Sequence, residues 1–339
     1  MQNLRRPGIG ERLQQLAYLL KHTFAIVGRN PGIVRPWVFM AVYAAVLVCV
    51  FFAAITAIAV DRGGLGTLLL LLAVVLFFYK YFFYNRLEIR QSWLVAESVQ
   101  GRPTTPEAAG ERVGELKGSY RRLALLDMIF AYVAWQGRRQ GGEKQGLMGS
   151  LVGALLAGLT EVWDLVNHYL LPAVAVDGLR LRDGIERMKT LREQVPETLM
   201  GVFGIDLAAR AVGTLMAPLY LIAAATAVVL GLWVGDAVPA FHAGSLREAF
   251  GPEATTWLSE GPLHFSWLPA LIAFWVSKVV SAVFERLVTS VKVIYFTIFY
   301  MRITHPERIN DEIRDELEAY LRLEGTDPAT GPATEPSAG

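Results

Sequence analysis

The run LMGSLVGALLAGLTEVWDLVNHYLLPAVAV, residues 147–176, decides how the rest of the chain is read. Roughly 20 apolar residues cross the hydrocarbon of a bilayer at 1.5 Å each, and this run is long enough to do so. It nevertheless carries Glu161, Asp164, Asn167 and His168 near its middle. Glu161, Asp164 and His168 stand at i, i+3 and i+7, on one helical face. A charged side chain at membrane depth costs about 2.5–3.5 kcal/mol on insertion scales. That face is therefore expected to turn towards protein or water and away from lipid.

Composition agrees with a membrane setting. Of 339 residues, 53% are hydrophobic and 19% charged, against roughly 45–50% and about 25% for soluble domains. The apolar residues are clumped into runs over 36–60, 65–84, 147–176, 199–234 and 265–300, with a shorter one over 123–135. A net charge of +1 supplies no field for nucleic acid. The single cysteine, Cys49, lies inside an apolar run and reads as a small core residue; alone it cannot close a disulfide. No short apolar region with a small-residue cleavage site precedes the first run, so the first span is expected to act as the insertion signal.

Between the runs the pattern changes. Residues 1–35 form an N-terminal segment in which Leu13, Leu16, Ala17, Leu20 and Phe24 make an amphipathic stripe, broken at Asn30-Pro31-Gly32. Such a helix lies in the headgroup plane or packs on the end of a bundle. Asp61-Arg62-Gly63-Gly64 reads as a tight turn joining the first two spans. Aromatic residues from Phe77 to Tyr84 mark an interface, where Lys80 can snorkel. Residues 85–122 are mixed, with helix expected on both sides of Gly101-Arg102-Pro103 and a cap at Thr104 or Thr105 ahead of Pro106-Glu107. The run 123–135 contains Asp127 and is short for a span, hence re-entrant or interfacial. Residues 137–144 read as a hydrophilic loop, and Pro172 is expected to bend the end of 147–176. The segment 177–195 pairs an apolar stripe with Arg180, Arg182, Arg187, Lys189 and Arg192, a combination suited to the inner leaflet. Residues 235–264 read as an external loop, 306–323 as a charged amphipathic helix, and 324–339 as a disordered tail.

Lys and Arg concentrate before the first span, after the second, around 180–192 and near the C-terminus. The 61–64 turn and the 235–264 loop are poor in them. The positive-inside rule then puts both termini in the cytoplasm and an even number of spans between them. The expected fold is all-α: a polytopic transmembrane helix bundle over 36–305 with amphipathic interfacial helices. The expected location is the cell (inner or plasma) membrane. Whether 123–135 and 147–176 cross or re-enter decides between six elements and four; six are expected, with the third, 123–135, atypical or re-entrant.

Three stretches resemble an uncharacterised family of bacterial and archaeal polytopic membrane proteins with about six helices. They are LLKHTFAIVGRNPGIVRPWVF (19–39), YFFYNRLEIRQSWLVAESVQGRPTTPEAAGERV (81–113) and WDLVNHYLLPAVAVDGLRLRDGIERMKTLREQ (163–194). The resemblance implies a fold and a bilayer location, and no activity.

The intramembrane polar candidates are Glu161, Asp164, Asn167, His168, Asp206, Arg210, Lys278, Glu285 and Lys292. The face around Glu161 reads most simply as an interhelical polar network, and more sharply as an ion or proton site. A metal centre would need ligands from a second helix, so no metal or cofactor is expected. Lys278 is the expected charge partner of Glu161 or Asp164. Asp206 and Arg210, at i and i+4, read as a local salt bridge. Lys278, Glu285 and Lys292 recur every seven residues as one protein-facing or water-facing stripe. His22, His242, His264 and His305 read as ordinary interfacial residues. Without a phosphate loop, Cys/His cluster or nucleophile motif, an enzyme is not the expectation. The expected roles are a structural, scaffolding or assembly protein, homo-oligomeric or bound to a membrane protein partner, and alternatively a transporter or channel using Glu161, Asp164, His168 and Lys278.

Overall fold

The computed structural model describes residues 26–142, 163, 166–167, 169–190, 195–242, 244 and 264–313. The Glu161, Asp164 and His168 face, the stripe expected at Leu13–Phe24, residues 314–323 of the helix expected over 306–323, and residues 324–339 lie outside these residues. The described chain is all-α: α1 Val34–Ala59, α2 Gly63–Val99, α3 Pro106–Glu115, α4 Lys117–Gly142, α5 (169–177), α6 Leu181–Thr190, α7 Val195–Val234 and α8 Leu268–Thr304. A helical turn at 26–29 precedes α1, and Asn30 breaks it by accepting from Gly32 N–H with its side chain.

Among the described residues, four helical stretches are long and apolar enough to cross a membrane: Pro31–Ala59, Gly63–Val99, Ala217–Val234 and Leu268–Thr304. Their most apolar windows are at most 28% buried. Large apolar side chains such as Leu68, Val75, Leu221 and Trp233 stand outward along them. Water does not tolerate a belt of that size, and lipid does.

The helices form two hairpins. Asp61, at φ 58°, turns α1 into α2, where the chain packs closely at Gly66. A Cβ there would stand 2.4 Å from Ile58 Cγ1 and 3.1 Å from Ala54 O. At the other hairpin Gly231 meets the chain entering α8: Ser266 N–H donates to Gly231 O at 3.0 Å, and a Cβ on Gly231 would lie 2.6 Å from Ser266 O. The external loop expected over 235–264 begins with two short 3-10 turns, Gly235–Ala237 and Pro239–Phe241. Among the described residues, a bridge from His242 to Ser266 joins its two ends.

α2 and α8 each have 37 residues, about 55 Å at 1.5 Å per residue, against a hydrocarbon thickness of about 30 Å. The excess has a use. Gln91 bonds Ser290 and Ser92 bonds Thr297, so the two helices run parallel and their C-terminal halves pack together. The main core lies there, at the end away from the hairpins. It joins Ile33, Leu94, Val95, Val99, Ile294, Ile298, Met301 and Ile309. A second cluster joins Ile89, Val113, Leu116, Leu123, Leu170, Leu171 and Val293.

Several boundaries differ from the sequence reading. The second span, expected to end near Tyr84, continues as one helix to Val99, because its polar half is covered by α3, α4 and α8. The hydrophilic loop expected from 137 is instead helical to Gly142. The run 123–135 is therefore the middle of α4, which is not among the four membrane-length stretches. The last long helix is Leu268–Thr304, a few residues later than expected. Thr105 caps α3, accepting from Ala108 N–H. Glu107 in the same turn has its carboxyl held below the usual range by its own backbone N–H and by the Thr105 hydroxyl.

Candidate functional site

α4 runs antiparallel to α2, since Leu123 packs with Ile89 while Asp127 meets Asn85. This pairing lies where the apolar half of α2 gives way to its buried polar half. Around Asp127 three donors converge. Asn85 Nδ2 donates to Oδ2, and the Trp163 indole N–H donates to Oδ1 at 2.8 Å. Asn167 Nδ2 reaches Oδ2 at the long distance of 3.5 Å. Phe130, one turn along α4, stacks on the Trp163 ring at 4.4 Å and 6°. Asn85 and Asn167 are buried, and their Oδ1 atoms have no hydrogen-bond partner among the described residues. A carboxylate beside two unfilled amide oxygens has a surplus of acceptors. Chemically it suits a proton, a water or a hard cation, all of which supply positive charge to oxygen.

Of the sequence candidates among the described residues, Asn167 belongs to this cluster, while Glu161, Asp164 and His168 lie outside those residues. Asp206 and Arg210 fall within α7 at i and i+4, with side chains outside the described residues. The Lys278, Glu285 and Lys292 stripe is not one surface. Lys278 and Glu285 are exposed, and Lys292 is buried, because α8 passes from the apolar belt into the core between the second and third of them. Lys278 Nζ lies over the Phe274 ring at 5.3 Å. Glu285 contacts the neighbouring Arg286, whose guanidinium also covers Tyr84. Lys80 rests its ammonium over Phe77 and Tyr81, 4.0 and 4.9 Å from the centroids. Cys49 is half-buried.

The sequence reading missed two features. In the sequence Asp127 is only a charge in a short apolar run; its partners come from outside α4. His305 is not an ordinary interfacial residue. Its Nε2 meets Asp177 Oδ1 at 2.8 Å, and Tyr300 O–H donates to Asp177 Oδ2. This latch ties the end of α5 to the end of α8. No local pattern announces it, since Asp177 and His305 are far apart in sequence.

Fold and site together define an all-α membrane protein whose hairpin end is apolar and whose opposite end is a packed polar body. Compared with known protein families and with curated proteins, the sequence matches none.

Proposed function

We propose that the chain is a multi-pass protein of the cell (inner or plasma) membrane, of structural or assembly type, with both termini in the cytoplasm. It works as a homo-oligomer or with another membrane protein. The observation that carries this reading is the distribution of packing: the core is concentrated in the polar body, while α7 rests chiefly on α8 and leaves Leu221 and Trp233 71% and 83% exposed. The basic residues around the polar body, among them Arg29, Arg35, Arg86 and Arg102, support the cytoplasmic side. Cross-linking in native membranes tests it. In a Cys49→Ser background, Leu221→Cys is expected to form a disulfide-linked dimer on oxidation. A protein that stays monomeric in lipid nanodiscs, with no cross-link and no co-purifying membrane protein, overturns it.

The acceptor surplus at Asp127 favours a second reading, a transporter or channel whose polar site adds Asp127 to Glu161, Asp164, His168 and Lys278. Its test is proton or cation flux into proteoliposomes. Flux abolished by Asp127→Asn supports it, and no flux in the wild-type protein removes it.

A further inference from the structure

Between α2 and the first turns of α4 lies a cavity of about 280 Å³ lined by Tyr79, Phe82, Arg86, Tyr120 and Arg121. We propose that it binds the phosphate of an anionic phospholipid headgroup. This goes beyond the structural reading above and rests only on the chain lying in a bilayer.

Position argues first. Tyr79, Phe82 and Arg86 stand at i, i+3 and i+7 and share one face of α2. The same face continues towards the hairpin through Leu68, Leu72 and Val75, all exposed. One stripe therefore reads, along the helix, as apolar surface, then aromatic rings, then a guanidinium. A phospholipid has that order of acyl chain, glycerol and phosphate, and aromatic side chains favour the depth of the glycerol.

Charge argues second. Arg29, Arg35, Arg102, Arg112 and Arg308 each face a carboxylate. Arg86 and Arg121 are exposed and meet none among the described residues. A guanidinium presents a planar fork that grips phosphate with two parallel hydrogen bonds, so two of them on one cavity match a single phosphate group well. Basic clefts at this depth suit anionic headgroups. Size argues third. The volume is just under the roughly 300–1,000 Å³ of pockets that enclose drug-sized ligands. It accommodates a phosphate and part of the glycerol, leaving the acyl chains against the outer stripe.

The test uses the full chain in nanodiscs of phosphatidylcholine with a minority of phosphatidylglycerol, read by native mass spectrometry. The wild-type protein is expected to retain one phosphatidylglycerol. The double variant Arg86→Gln/Arg121→Gln is expected to weaken that retention about 30-fold, since each basic residue near a membrane surface contributes about fivefold. Its melting temperature should be unchanged, because both side chains are exposed. Should the double variant fail to fold, Arg121→Gln alone carries the test with about a fivefold loss. Arg86→Lys/Arg121→Lys keeps the charge and loses the fork, and is expected to fall between. Retention equal to wild type in the Gln variants, equal retention of phosphatidylcholine, or displacement of the lipid by millimolar inorganic phosphate would each overturn the assignment.

Discussion

Replacing Asp127 by alanine removes an acceptor from three donors at once, and the cost is readable bond by bond. Hydrogen bonds to charged groups are worth about 1.5–3 kcal/mol in soluble proteins. Double-mutant cycles within membranes average about 0.6 and reach about 1.7 kcal/mol. The Asp127 cluster belongs between these limits, because protein rather than lipid covers Asn85 and Asn167, 2% and 8% exposed. The three donors are not equal. Asn85 keeps a second acceptor, Tyr81 O at 3.1 Å, and Asn167 at 3.5 Å loses little. Trp163, at 2.8 Å, loses most. The expected cost of Asp127→Ala is about 2–4 kcal/mol, with buried unsatisfied donors at about 1–3 kcal/mol each and not additive.

Trp163→Phe isolates one bond, because it deletes the indole N–H and keeps an aromatic ring to stack on Phe130. Alone it should cost about 1 kcal/mol. In the Asp127→Ala background it should cost nothing or stabilise slightly, since it then removes an unpaired donor. The assay is unfolding of purified protein by SDS titration in mild detergent, followed by far-ultraviolet circular dichroism so that loss of the tryptophan does not disturb the signal. If Trp163→Phe costs the same in both backgrounds, within about 0.3–0.5 kcal/mol, the two side chains are not bonded and the reasoning fails.

Other perturbations have equally definite outcomes. Gly231→Val should destabilise by at least the 1–3 kcal/mol typical of overpacking, since the atom it meets is backbone; thermal unfolding in detergent reads this. Thr105→Ala should cost about 1 kcal/mol locally, seen as faster amide exchange in α3 and unchanged exchange in α8. Glu107 has a depressed folded-state pKa, so its stabilisation is complete above its unfolded value of 4.5 and declines as pH falls below it. Protection of the α3 amides, corrected for the intrinsic exchange rate at each pH, should fall on acidification through that window, and Glu107→Gln should remove that fall. Asp177→Asn should loosen the latch and speed exchange over 305–313, with Tyr300→Phe producing a smaller effect.

The sequence carries some of these features openly. Lipid demands that every outward residue of a span be apolar, so the belt is visible as unbroken runs. Thr105-Pro106-Glu107 and Asn30-Pro31-Gly32 act on their own neighbours, so their caps and breaks are legible too. The polar contacts are not. Asn85, Asp127 and Trp163 meet because of helix register, which no local window contains, and the same holds for Asp177 with His305. The extent of α2 is hidden for a related reason. Past Tyr84 its periodicity mixes Glu88, Gln91 and Ser92 among apolar residues, which resembles a surface segment until α4 and α8 are seen to cover it. Gly141-Gly142 misled in the opposite direction: glycine lowers helix propensity by about 1 kcal/mol relative to alanine, yet α4 continues to Gly142.

The continuity of α2 and α8 bears on what the protein can do. Each helix serves the membrane with one half and the polar body with the other, and no loop separates the halves. Val95 and Val99 close the core on the same rod that carries Leu68 and Val75 against lipid. A tilt of α2 in the bilayer must therefore move the core with it, or break Gln91–Ser290 and Ser92–Thr297. Such coupling favours a rigid frame over a gate. Motion, where the fold permits any, belongs to α7: it holds Pro218 within the helix, where proline removes a backbone bond, and it packs chiefly on α8. A transport cycle in this fold would therefore have to move α7 against a frame of α1, α2 and α8. Locking α7 to α8 by a disulfide should then abolish flux, whereas the structural role should survive the same cross-link intact.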